Sequence, residues 1–236
     1  MATKKQHTYV KAETDEKSTR PMKQAKEVGS ATGKRVGAVI LWIIAIVFEV
    51  LGVLVLFGKV NITFMPTLYA LIAALVFDLI FLIIGSQLWK KANHIDPASE
   101  KNAFKFWLWN NMGVIVACFA FVPFIVLLLT NKDLDKKTKT IASAVAAVAL
   151  VIGCATGYDF NPVSSEQKDA AMQALGETEV YWTQFGKVYH THDDCGHLNQ
   201  TEELICGTVE QAIANNRTRL CLTCAKQDNI TDVTTE

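Results

Sequence analysis

Residues 36–58 read VGAVILWIIAIVFEVLGVLVLFG, and after a short loop residues 66–89 read PTLYALIAALVFDLIFLIIGSQLW. Each stretch exceeds the ~20 mainly apolar residues that a helix needs to cross a bilayer. In hydrocarbon a single crossing must satisfy its own backbone N–H and C=O groups, so each is read as a helix, and the pair as a hairpin. Two more apolar stretches follow. Residues 104–130 (FKFWLWNNMGVIVACFAFVPFIVLLLT) have a polar beginning and Pro123 as a kink. Residues 140–157 (TIASAVAAVALVIGCATG) are shorter, with small residues that suit close helix packing in lipid.

Charge divides the chain into the same parts. Residues 1–35 carry nine Lys/Arg against four Asp/Glu, residues 36–157 nine against six, and residues 158–236 five against thirteen. The first part shows no apolar periodicity and is expected to be a disordered basic tail, cytoplasmic and attracted to anionic lipid. The acidic C-terminal part is a poor partner for phosphate backbones, which argues against nucleic acid.

Lysines beside the spans set the orientation. The tail, the loop with only Lys59, and the next loop with Lys90, Lys91, Lys101 and Lys105 agree on an N-terminus inside. The last loop, with Lys132, Lys136, Lys137 and Lys139, disagrees, because alternation puts it outside. Four crossings make the C-terminal module cytoplasmic; a merely interfacial fourth stretch puts it outside. Four crossings in the cell membrane is the favoured expectation, with Trp89, Trp107 and Trp109 as an aromatic anchor at the inner interface.

Residues 158–179 read as a polar linker containing a short helix near 165–175, and residues 180–227 as a separate module followed by a tail, 228–236. The module is expected to open with a β-hairpin, VYWT and QFGK leading into VYH, turned at Gly186. Thr208 and Gln211 have capping-box spacing, so a helix runs from Val209 to about Asn215, with Asn216 able to stop it.

The module gathers four of the six cysteines. Cys221-Leu-Thr-Cys224 is a C-x2-C turn, which lets two sulfurs point at one ion, and Cys195 is the expected third ligand. Three histidines compete for the fourth place: His190 first, then His192 and His197. Zinc is the expected ion in a reducing compartment; two disulfides, or four unrelated thiols in a small core, are the alternative. Cys206 reads as a buried apolar residue rather than a ligand. A closed His/Cys3 shell leaves no open position for water, so the metal staples a small core and the chain is not expected to be an enzyme. The fold class is therefore an α-helical membrane protein of four transmembrane helices with a small α+β zinc-binding C-terminal domain.

Val188-Tyr189-His190, Cys195, Ala212 and Cys221-Leu-Thr-Cys224 resemble, in order, the metal-binding module of the Ada-type DNA-repair proteins. That module uses four cysteines, one of which accepts a methyl group; His190 stands at the matching position, and the spacing to Cys195 is one residue longer. The resemblance implies a zinc fold, not methyl transfer. The whole chain, with GSQLWKKANHIDPASEKN between its second and third spans, also resembles bacterial multi-pass membrane proteins bearing such a tail. That resemblance carries architecture and no activity.

Glu49 and Asp78 fall near the middle of their spans. A carboxylate there must be protonated, paired or facing water, and Asn110 and Asn111 are candidate partners. The expected function is a membrane-anchored interaction or regulatory protein, with the lipid bilayer and a protein at the C-terminal module as partners. The alternative is a small ion or proton transporter using Glu49 and Asp78, with the module as gate or sensor.

Overall fold

The computed structural model describes residues 20–60 and 62–230. The chain is mostly helical. Four helices are long and apolar enough to cross a membrane: α1 (Ala31–Leu56), α2 (Thr67–Ile95), α4 (Met112–Thr130) and α5 (Lys136–Gly157). Side chains satisfy their first-turn amides where the sequence supplies them. Ser30 accepts from Gly33 N at 3.2 Å before α1, and Asp135 accepts from Thr138 N at 2.9 Å before α5. Much of α1 is apolar and outward-facing, as at Val39, Ile43, Ile46 and Val50. An apolar surface of this extent is one that lipid, not water, would cover.

Helix α2 is the centre of the bundle and packs against α1, α4 and α5. The small residues of α5 meet that bundle directly: Ala142, Ala146, Ala149, Gly153 and Gly157 form its buried stripe. At Gly157 a Cβ would come within 2.7 Å of the Gly113 carbonyl carbon, so both helices need glycine for this approach.

The stretch expected as one span over residues 104–130 is instead two helices, α3 (Ala103–Asn110) and α4. Asn111 stands between them at φ −106°, ψ 13°, and its amide donates to the Trp107 carbonyl at 2.8 Å. That local bond competes with the helical ladder and explains the break. Pro123 lies inside α4, which continues to Thr130. Trp89 is buried rather than spread along an interface: its ring lies 5.3 Å from Trp42 and 5.4 Å from Trp109, and its Nε1 donates to the Trp109 carbonyl at 2.8 Å. Trp107 is exposed. Asn110 and Asn111 bond elsewhere, and neither oxygen of the fully buried Asp78 has a hydrogen-bond partner among the described residues.

The remaining elements are β1 (Met22–Gln24), α6 (Ser165–Leu175), β2 (Val180–Trp182), β3 (Val188–Tyr189), β4 (Leu204–Gly207), α7 (Val209–Ala214), β5 (Arg219–Leu220) and α8 (Leu222–Gln227). Strand β4 is central in a three-stranded sheet, antiparallel to β2 and parallel to β1; β3 and β5 form a separate parallel pair.

Three expected boundaries are corrected by this arrangement. The expected disordered tail 1–35 includes β1 and the start of α1, because Met22, Lys23 and Gln24 align with Leu204, Ile205 and Cys206 across a ladder; residues 1–19 lie outside the described residues. The linker 158–179 contains the expected helix as α6, but Val163, Ala171 and Leu175 enter the module's core. In the expected tail 228–236, Asp228 and Ile230 also join the module, while residues 231–236 lie outside the described residues. The hairpin is reduced to one bridge, Tyr181 with His190, because β2 and β3 find their main partners in β4 and β5.

Candidate metal centre

Four side chains from three short stretches, His190, Cys195 and the Cys221–Cys224 turn, converge in the buried part of the module. His190 follows β3 and exchanges two 2.7 Å backbone bonds with Tyr181, which hold it against the core. Cys195 begins a tight 3-10 turn, Gly196–Leu198, whose Leu198 amide returns to the Cys195 carbonyl at 2.8 Å. Cys221 follows β5, accepts the first turn of α8, and is tied to Tyr189 O at 2.8 Å; Cys224 lies in that first turn. The C-x2-C spacing therefore places one sulfur before the helix and one within it, both facing inward.

One ligand atom from each of His190, Cys195, Cys221 and Cys224 lies within 4.8 Å of the other three, and all four residues are buried. Cys224 Sγ stands 3.7 Å from His190 Nδ1. Tetrahedral bonds of ~2.3 Å to sulfur and ~2.0–2.1 Å to nitrogen place neighbouring ligand atoms about 3.5–3.8 Å apart. The cluster is thus close to the dimensions of a four-coordinate site and could hold a metal ion.

The electrostatics point the same way. Burial pushes the Cys195 thiol up to about 12, and the adjacent Cys224 and Cys221 add to it. Burial, with the charge of His197 behind it, lowers His190 to about 4. Left to itself the pocket favours a neutral Cys195 thiol and a neutral His190 imidazole. A dication supplies the positive charge that lets buried sulfurs ionise, while the imidazole is already in its ligating form.

The other histidines of the segment are engaged elsewhere. His192 Nε2 lies 2.7 Å from Asp228 Oδ1, and His197 Nε2 lies 3.1 Å from Thr223 Oγ1. Asp228 also accepts from the Thr191 hydroxyl at 2.5 Å, which, against some burial, holds its carboxyl below the ordinary range. No motif marks Asp228 as the residue that occupies His192; only the fold brings them together. Cys206 is buried in β4, outside the cluster, with its sulfur 3.8 Å from the Lys23 carbonyl. All six cysteines are free thiols.

The module is fastened to the long helices by polar contacts that carry no sequence signature. Lys168 Nζ bridges the Ile95 carbonyl at 2.6 Å and Glu210 at 2.9 Å. His94, near the end of α2, pairs with Asp159 at 2.8 Å, and both side chains are 5% exposed. Burial alone would raise the Asp159 carboxyl, but the His94 bond and charge bring it below its ordinary value. Comparison of the chain with protein-family models, with curated proteins and with solved structures finds no match.

Proposed function

We propose that this chain is a membrane-anchored interaction or regulatory protein whose C-terminal module is stapled by a structural zinc ion. The observation that carries the reading is the buried, fully protein-supplied donor set His190, Cys195, Cys221 and Cys224. Three thiolates and an imidazole in a tetrahedron suit zinc, and a closed shell favours a structural over a catalytic role. Structural zinc contributes ~10–16 kcal/mol in small zinc-dependent folds, as much as the ~5–15 kcal/mol net stability of an ordinary domain.

The sheet supports four crossings. Strand β1 precedes α1 and pairs with β4 of the module, a pairing that supports a reading with both on one side of the bilayer and an even number of crossings. The basic residues Lys34, Arg35, Lys90 and Lys91 gather at that end, which favours the cytoplasmic side and hence reduced thiols. A second reading, a small transporter with the module as gate or sensor, is favoured by Asp78, buried with neither oxygen hydrogen-bonded among the described residues.

Full-length protein purified in detergent is expected to hold one zinc per chain. Cys221→Ser with Cys224→Ser should lose the ion and the folded module together. A wild-type module that keeps its fold after complete chelation would defeat the zinc staple.

A further inference from the structure

Where the metal module meets the long helices, the chain surrounds a cavity of about 510 Å³. That volume falls within the ~300–1,000 Å³ range of small-ligand sites. Lys26, Lys34, Lys90, Lys91 and Arg217 line it, against two acids, Glu27 and Asp159. Asp159 pairs with His94 and also attracts Lys90, which leaves the remaining cations of the lining in excess of Glu27. None of the four lysines forms an ion pair among the described residues. Lys90 Nζ donates to the carbonyls of Thr156 at 2.7 Å and Tyr158 at 3.3 Å, which fixes the position of its charge. Lys34 Nζ lies over Gly29, 2.7 Å from where a Cβ would stand. A run of adjacent lysines would be an ordinary solvated face. The four lysines and Arg217 come from three separate parts of the chain and converge on a concavity, where low-dielectric walls focus their field.

The cavity also sits at a defined level. On α1 the exposed large apolar residues begin at Val36, just after Lys34; on α2 they end at Ile84, before Lys90; on α5 they end at Ile152, before Tyr158. The cavity therefore lies just beyond the apolar belt. Tyr158 and Phe160, both exposed, meet edge to face at 4.9 Å among its lining residues. Aromatic side chains with cations behind them suit the headgroup level of a bilayer.

We propose that this cavity binds a phosphate-bearing anion at the membrane boundary, the group coming either from an anionic phospholipid headgroup or from free phosphate. The lipid source rests on the membrane reading above; the free source does not.

The test uses full-length protein in phosphatidylcholine nanodiscs. One arm adds increasing phosphatidylglycerol and counts retained lipid by native mass spectrometry. The other titrates inorganic phosphate into discs without phosphatidylglycerol. Wild type should bind in at least one arm, and Lys26→Gln with Lys34→Gln and Lys91→Gln should weaken that binding on the order of a hundredfold. The corresponding triple Arg variant should restore it. Lys132→Gln with Lys136→Gln and Lys137→Gln, at the opposite end of the bundle, should leave it unchanged. Lys91→Gln alone, at an exposed position, should show part of the loss, which keeps the test decisive if the triple variant fails to fold. Preference for phosphatidylglycerol assigns the lipid source, and binding confined to the phosphate arm assigns the free source. No binding in either arm, or equal loss in the distal variant, overturns the proposal. Zinc per chain, measured in the same samples, separates failure of this site from failure of the metal module.

Discussion

His190 and His192 are two positions apart in one short segment and end in different chemistry. His190 is the last residue of that segment held by reciprocal backbone bonds to Tyr181, so its ring is fixed toward the three sulfurs. By His192 the chain has left the sheet, and the imidazole meets Asp228. His190→Ala should therefore weaken zinc binding by more than about a hundredfold, the upper end of what removing an outer-shell partner costs. His192→Ala should keep the ion and cost about 0.2–1 kcal/mol, as for a half-exposed pair. Zinc content and thermal melting of the full-length variants check this, and a His192→Ala protein without zinc would reverse the assignment. In the metal-free module burial lowers His190 from 6.5 to about 4, so the unfolded chain binds the extra proton between those values. Its contribution to stability is present above about pH 6.5 and lost as pH falls toward 4. Spacing alone identified the C-x2-C half and ranked His190 first, because turn geometry is local. The fate of His192 depends on Asp228, thirty-six residues away.

At the scale of elements, periodicity and capping were legible and partner choice was not. Thr208 and Gln211 complete their capping box around α7, and Asn216 closes it in a left-handed conformation at φ 67°. The small residues of the fourth stretch become the stripe that lets α5 approach α4 at Gly157 and Gly113. By contrast, the third stretch reads as a continuous apolar run, and only the Asn111 amide bond to Trp107 shows why it breaks. The α1–α2 pair also carries two acids within its apolar stretches, Glu49 and Asp78. If these serve packing alone, replacing both Glu49 and Asp78 with Asn should leave proton and cation flux across reconstituted vesicles unchanged. A loss of flux in that variant, with wild-type flux above that of empty vesicles, would favour the transport reading.

For the molecule as a whole, β1 is the decisive contact, because three residues before the first long helix enter a sheet with strands more than 150 positions later. Arg20 strengthens that attachment by donating to the Leu198 carbonyl at 2.7 Å. Added cysteines at the exposed positions Glu27 and Phe185 should therefore react with an impermeant maleimide from the same side of sealed vesicles. A cysteine at exposed Phe64, in the loop between α1 and α2, should react from the other side. Labelling of Glu27→Cys and Phe185→Cys from opposite sides would exclude four crossings. The same junction creates the basic cavity, which no stretch of sequence announces because its lysines belong to separate segments. By itself the sequence determined the four apolar helices, the C-x2-C turn with Cys195, and the local caps, since each follows from composition or from spacing within a turn or two. Only the tertiary structure decided that Met22–Gln24 join the C-terminal module, that His190 and not His192 joins the sulfurs, and that separated lysines face one cavity. Those outcomes depend on hydrogen bonds and burial between residues far apart in the chain, and a linear pattern does not encode which distant partner wins.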